Sequence, residues 1–206
     1  MAAALNVVER ALKRIVVELE QANAPCALIG GLAVSARAEP RTTRDVDLAI
    51  SMPDDDQAEQ LVYHLQSRGY VVGALLEQAR TGRIATVRLK HGSERSVFID
   101  LLFASSGIEP EIVRQAEELA VLDDMKVRVA TRAHLIALKV LARDDRQRPQ
   151  DWDDLRALMV DASDGDLAAA RQALALIQQR GFNRGRSLAE DLERARVDTG
   201  RRGNER

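Results

Sequence analysis

The residues best suited to chemistry in this 206-residue chain lie within residues 28–50. Two glycines, Gly30 and Gly31, follow a short apolar run, and two acids, Asp45 and Asp47, are separated by one valine. Alternate residues of a strand point to the same face, so the two carboxylates would project together. Because paired carboxylates repel each other, they favour a cation between them, and magnesium and calcium prefer such oxygen ligands. Backbone N–H groups of a Gly-Gly turn at a helix start can bind a phosphate. A phosphate-binding turn beside a pair of metal-binding acids is typical of sites for phosphoryl or nucleotidyl transfer.

Each half of this pattern is weak when it stands alone. A Gly-Gly pair most often marks a turn, and an Asp-x-Asp pair a solvated strand end or a helix cap. Their order is more informative, because the apolar strand 26–29, the glycines, a short helix over 32–38 and a second strand from Asp45 to Ile50 follow one another. The elements would therefore hold the glycines and the acids close together.

A third acid, Asp100, lies in the almost wholly apolar segment 97–103, which we expect to form a hairpin with the strand over 84–90. A buried carboxylate without a partner is costly. Asp100 therefore requires either a metal ion or a strong partner such as a salt bridge, and taken alone the two are equally weighted. The presence of Asp45 and Asp47 favours a metal-ligand role.

This order and spacing resemble the nucleotidyltransferase superfamily that shares its catalytic core with DNA polymerase beta. The sequence GGLAV…RTTRDVDL is most similar to that of the AbiEii-type nucleotidyltransferases, which are toxins of bacterial toxin–antitoxin and phage-defence pairs. The resemblance covers the first half of the chain most strongly. It implies an α+β fold with a polymerase-beta-like core, in which a mixed sheet is flanked by helices, and a C-terminal helical bundle. It also implies that Asp100 is the third catalytic acid.

Strand patterns stop near residue 130, and the remainder is helical by its apolar spacing. We therefore expect a catalytic core over residues 1–130, a helical extension over 131–198 that closes the nucleotide cleft, and a disordered tail over 199–206.

A second polar cluster lies in the helical part. Lys139 is surrounded by apolar residues, and residues 148–154, RPQDWDD, are similar to the family motif Arg-x-x-Lys-Asp-x-x-Asp except that Gln150 replaces the lysine. A triphosphate needs cationic contacts, so we expect Lys139 to bind its phosphates. Asp151 and Asp154 have two open interpretations, as site residues or as acids that cap a helix and favour its dipole.

The resemblance implies a nucleotidyltransferase that moves a nucleoside monophosphate from a nucleoside triphosphate to an acceptor hydroxyl. Two magnesium ions would be held by Asp45, Asp47 and Asp100, which are also the expected catalytic residues. Toxins of this type act on tRNA ends and have a cognate antitoxin. A small-molecule acceptor, as in antibiotic nucleotidyltransferases, and a non-catalytic nucleotide-binding regulator are the alternatives. The residues expected at the nucleotide are Gly30, Gly31, Ser35, Arg44, Lys139 and Asp151.

Composition adds weaker constraints. The net charge of −2 and pI of about 6.0 give no overall basic surface for nucleic acid, so RNA binding would need a local patch. The single cysteine, Cys26, cannot form an internal disulfide, which fits the reducing cytoplasm. No segment has the length or apolarity of a membrane span or resembles a signal peptide. Arginines available for RNA phosphates are Arg37, Arg41, Arg44, Arg143, Arg146, Arg148 and those in 180–186.

Overall fold

The computed structural model describes residues 2–92, 96–121, 125–143 and 149–203. Within these ranges, strands and helices follow each other in the predicted order, with strands confined to residues 26–129. The helices are α1 Ala2–Gln21, α2 Gly30–Arg37, α3 Asp55–Ser67, α4 Glu109–Gln115, α5 Arg132–Ala142, α6 Pro149–Val160, α7 Asp164–Gln179 and α8 Leu188–Gly203. The strands are β1 Cys26–Ile29, β2 Asp45–Ile50, β3 Tyr70–Glu77, β4 Ile84–His91, β5 Phe98–Leu102, β6 Glu117–Val121 and β7 Met125–Val129.

The chain divides into two compact units. The first contains Met1–Ala33, Arg41–Ser105 and Glu109–Ala130, and the second contains Val34–Pro40, Ser106–Ile108 and Thr131–Arg206. The largest segment of the second unit thus begins directly after residue 130. Two short segments that the sequence pattern places in the core, 34–40 and 106–108, also belong to the second unit. That the second unit closes a nucleotide cleft stays a prediction.

The first unit is built on one sheet with the strand order β3-β4-β5-β2-β1-β7-β6. The pairs β2–β5 and β1–β7 are parallel, and the other neighbouring pairs are antiparallel. This confirms the predicted α+β class with a mixed, mostly antiparallel sheet and flanking helices. Strand β2 alternates as expected, since Val46 and Leu48 are buried while Asp45 and Asp47 are half-buried.

Helix α1 and the strands supply the core of the first unit. The apolar side of α1 buries Leu12, Ile15 and Leu19 completely, as its three- and four-residue spacing predicts. The second unit holds α5 to α8, and α5 contacts each of the other three helices. Helix α5 has a capped start, because the hydroxyl of Thr131 accepts a hydrogen bond from the His134 N–H.

Several helix boundaries differ from the sequence pattern. Helix α2 begins at Gly30 and ends at Arg37, where the pattern assigns a helix to residues 32–38. Residues 111–118 alone predict a short helix, whereas α4 begins at Glu109 and ends at Gln115, and strand β6 starts at Glu117. Helix α8 continues to Gly203, so it includes residues 199–203 that the pattern assigns to the tail; residues 204–206 lie outside the described ranges. Among the described residues, none of the helices combines the length and apolarity needed to cross a membrane.

Candidate active site

Strands β2 and β5 bring the three predicted acids to one face of the sheet. In the parallel pairing of these strands, the Cα of Asp47 is the partner of Asp100, and that of Asp45 is the partner of Phe98. Neighbouring strands lie about 4.8 Å apart, and alternation places all three acids on the same side. Asp45 and Asp47 are half-buried, and Asp100 is buried. The structure therefore gathers these acids, and their catalytic and metal-binding roles stay predictions.

Gly30 packs directly against Asp47. Its φ of +64° lies in the left-handed region that favours glycine. A Cβ at this position would lie 2.0 Å from Asp47 Oδ2, because strands β1 and β2 pair with Ile29 opposite Asp47. The turn after β1 therefore needs glycine both for its backbone and for the approach of the carboxylate.

Gly31 also has a close neighbour within the first unit. A Cβ there would lie 2.8 Å from Arg41 Nη2 and 2.9 Å from Thr43 Oγ1. Packing thus accounts for both glycines, and their predicted phosphate contact stays a prediction. Arg44 is exposed immediately before β2.

Asp100 has a partner that the sequence interpretation did not identify. Arg88 donates from Nε to Asp100 Oδ1 at 2.7 Å and from Nη2 to Oδ2 at 2.6 Å. The two residues are Cα partners in the antiparallel β4–β5 pair. Of the two ways in which a buried carboxylate can be compensated, the structure contains the ion pair.

The charge of Arg88 is reinforced by the acidic face. The hydrogen bond to Asp100 raises the pKa of Arg88, burial opposes that rise, and the charges of Asp100, Asp45 and Asp47 raise it further. The alternation of buried and half-buried residues along β4 could have identified Arg88, which lies between the buried Val87 and Leu89. Once the register of the hairpin is known, this alternation places Arg88 on the same face as Asp100.

The donor set fits magnesium in part. Across the described ranges of the chain, no three His, Cys, Asp or Glu residues form a group arranged to hold a metal ion. Asp45 and Asp47 offer paired carboxylates, and magnesium in such sites binds one or two carboxylates and completes its shell with substrate phosphates and water. Asp100 is engaged by Arg88 through both oxygens. Asp45 and Asp47 thus fit the ion, while Asp100 in this arrangement does not join them.

An aromatic ring with two cations lies beside the acids. The Arg88 Cζ is 4.9 Å and the Lys90 Nζ 4.1 Å from the centre of the Phe98 ring. All three side chains are half-buried. Positive charge and a π surface therefore adjoin Asp45, the register partner of Phe98.

The second unit contains the other predicted cluster. Lys139 Nζ lies 2.7 Å from Asp151 Oδ1 and 2.7 Å from Asp154 Oδ2. The lysine side chain is only 12% exposed, and both acids are buried. The cluster therefore ties α5 to α6, and Asp151 also lies in the first turn of α6.

Ser35 is the other predicted nucleotide contact in this unit. Ser35 is half-buried in the part of α2 that belongs to the second unit. Contact of Ser35, Lys139 or Asp151 with a nucleotide stays a prediction, while Arg146 and Arg148 lie outside the described residues.

No functionally curated protein matches this chain. Among solved structures, the antibiotic-resistance factor ANT(2'')-Ia is similar at 19% identity with a TM-score of 0.46, over 99% of this chain and 95% of that one. The lincosamide antibiotic adenylyltransferase LnuA, bound to lincomycin, is similar at 16% identity with a TM-score of 0.47, over 73% and 96%. An antigenic nucleotidyltransferase-like protein from Paracoccidioides brasiliensis is 19% identical with a TM-score of 0.47, over 92% of each chain.

A family model covers nearly the whole chain. Residues 10–203 match the family described as "Nucleotidyl transferase AbiEii toxin, Type IV TA system". The match extends through both units and includes the Gly-Gly turn and the three acids. It confirms the resemblance that the motifs indicated, so this chain is a nucleotidyltransferase and belongs to the AbiEii toxin family.

Proposed function

We propose that this nucleotidyltransferase moves a nucleoside monophosphate from a magnesium-bound nucleoside triphosphate to a hydroxyl at an RNA end, with tRNA as the expected acceptor. The proposal rests chiefly on the paired carboxylates of Asp45 and Asp47, which project from a strand with hydrogen-bonded neighbours on both sides. Fixed acids on a rigid strand position a metal-bound substrate with little reorganisation.

Each residue of the site has a proposed role in metal binding, proton transfer or nucleotide binding. Asp45 and Asp47 would hold the divalent ion. Asp100 is the candidate for a second ion and for the base that accepts the proton of the acceptor hydroxyl, while that oxygen bonds to the α-phosphorus and pyrophosphate leaves. A divalent ion bound there neutralises the phosphate charge that develops during transfer. Gly30 and Gly31 would offer backbone N–H groups to the phosphates, and Arg44, which is exposed directly before β2, is the candidate cation of the same unit.

An RNA acceptor is supported by the surface beside the acids. Phe98 and Lys90 place an aromatic ring and a cation beside the acids, and surfaces that bind single-stranded nucleic acid combine these two features. The family is described as a toxin of a type IV toxin–antitoxin system. A toxin acting on tRNA would work in the cytoplasm and be opposed by a cognate antitoxin.

A transfer assay tests the proposal directly. The purified protein is incubated with magnesium, each α-labelled nucleoside triphosphate in turn, and either total RNA or purified tRNA. The Asp47→Asn variant should lose about 100- to 1,000-fold in transfer, because one ion-binding carboxylate is gone. The matched control is Asp56→Asn, which removes an exposed acid of the same unit in the first turn of α3.

Label on a tRNA band with the wild-type and Asp56→Asn proteins, and none with Asp47→Asn, would support the proposal. Full transfer by a folded Asp47→Asn protein would overturn the assignment of the acids. Label on a small molecule, with none on RNA, would overturn the RNA acceptor and favour an antibiotic-type reaction.

A further inference from the structure

The Arg88–Asp100 ion pair lies on the same face as Asp45 and Asp47, which makes it more than a structural contact. The carboxylate side chain of Asp100 is 12% exposed, while the guanidinium side chain of Arg88 is 44% exposed. A buried acid that accepts two charged hydrogen bonds depends on its partner, whereas the half-exposed arginine retains access to water.

A divalent cation and the guanidinium group cannot share this carboxylate without cost. Arg88 is bonded to both oxygens of Asp100 at 2.6–2.7 Å. A cation that approached the oxygens of Asp100 would come close to the Arg88 guanidinium that is bonded to them. Like charges repel strongly in a partly buried site. The ion would also meet favourable charge from Asp45 and Asp47. Two cations thus compete for three acids.

We propose that Arg88 is a positioning residue that competes with divalent ions for Asp100. Without metal, Arg88 holds the third carboxylate, and an ion gains Asp100 as a ligand only when the guanidinium moves aside. This inference rests on the metal site at Asp45 and Asp47 in the proposed function.

Arg88 has a second partner within reach. Its Cζ lies 4.9 Å from the centre of the Phe98 ring, within cation–π distance, while the guanidinium is bonded to Asp100. When it leaves Asp100, the guanidinium can therefore keep its contact with this ring and remain near Asp45. The displaced charge is retained on the acidic face and stays available to a phosphate group.

Manganese titration of nucleotide-free protein tests the competition without any transfer reaction. Free Mn²⁺ is followed by its electron paramagnetic resonance signal. Arg88→Met should bind Mn²⁺ at least tenfold more tightly than the wild type, because Asp100 is released. The double variant Arg88→Met/Asp100→Asn should lose this gain.

The matched control is Arg83→Met. Arg83 makes an ion pair with Asp55 at 3.1 Å, outside the three acids, so this variant has the same net charge as Arg88→Met. Its Mn²⁺ affinity should equal that of the wild type. Equal gains in both arginine variants would assign the effect to net charge and overturn the proposal, as would unchanged or weaker binding by a folded Arg88→Met protein.

Arg88→Lys covers the case in which Arg88→Met fails to fold. Lysine keeps the charge but cannot bind both oxygens as a planar fork, so its grip on Asp100 is weaker. A Mn²⁺ affinity of Arg88→Lys above that of the wild type supports the competition, and an affinity equal to that of the wild type contradicts it.

The two proposals fail separately. Loss of Mn²⁺ binding in Asp47→Asn tests the metal site itself. Absence of RNA labelling together with the predicted gain in Arg88→Met would refute the acceptor and leave the competition standing. RNA labelling without that gain would refute the competition alone.

Discussion

Replacement of Gly30 by alanine probes the contact that fixes Asp47. A non-glycine residue at φ +64° costs about 1–2 kcal/mol in backbone strain. The added Cβ would lie 2.0 Å from Asp47 Oδ2, whereas ordinary contact begins near 3.4 Å. The carboxylate must therefore retreat, and crowding of this kind costs about 1–3 kcal/mol more.

The expected loss for Gly30→Ala is thus roughly 2–5 kcal/mol in the free energy of unfolding. A displacement of about 1 Å at a positioning group also lowers activity about 100-fold. Urea denaturation followed by circular dichroism measures the first quantity, and the RNA-labelling assay measures the second.

Gly82 supplies the matched control. Its φ of +69° is nearly the same, and no atom lies within 4 Å of a Cβ built there. Gly82→Ala should therefore cost only the backbone strain of about 1–2 kcal/mol and leave transfer unchanged. If Gly30→Ala loses no more stability than Gly82→Ala and transfers nucleotide equally well, the contact with Asp47 does not constrain the site.

Three other perturbations have defined outcomes. Lys139→Met removes the amine that pairs with the buried acids Asp151 and Asp154, and should lower the free energy of unfolding by about 3–5 kcal/mol in urea denaturation. A variant as stable as the wild type would contradict this. Burial raises the pKa of the Cys26 thiol to about 11, so at pH 8 iodoacetamide should alkylate the native protein roughly 200-fold more slowly than the urea-unfolded one, where the thiol has a normal pKa; equal rates would contradict the burial. Ser163→Ala removes the capping box of α7 and should cost about 1 kcal/mol near neutral pH. The hydrogen bond from the Ser163 hydroxyl lowers the pKa of Asp166, so the part of this contribution that the carboxylate carries is present above the unfolded-state carboxyl pKa and is lost as the pH falls through the folded-state value. The difference in stability between the two proteins in urea titrations should therefore shrink in acid, while the bond from the Asp166 N–H to Ser163 persists in the wild type.

Local chemistry made the strands around the acids predictable. Strands β1 and β2 begin and end at the residues expected, because apolar alternation and the glycine turn define both ends. An aspartate directly before a helix is a similarly local signal, and the Asp54 carboxylate accepts the Gln57 N–H at 2.9 Å at the start of α3. The Gly-Gly and Asp-x-Asp motifs were specific enough to indicate the family that the family model confirms.

The partners of charged residues were not predictable in the same way. The Arg88–Asp100 contact depends on the register between β4 and β5. A shift of one residue would place the two side chains on opposite faces of the sheet. The contact of Lys139 with Asp151 and Asp154 depends on how α5 and α6 pack. Sequence periodicity indicates which face of an element is buried, but it does not identify the opposing residue.

The position of β2 in the sheet has a consequence for how long the acids keep their arrangement. Strand β2 is hydrogen-bonded to β5 on one side and to β1 on the other, with further strands beyond each neighbour. Amide protons in such a strand exchange with solvent only when most of the sheet opens, since local fraying begins at the outer strands. Asp45 and Asp47 therefore lie in the last part of the first unit to loosen, and their spacing persists on heating until this unit unfolds as a whole.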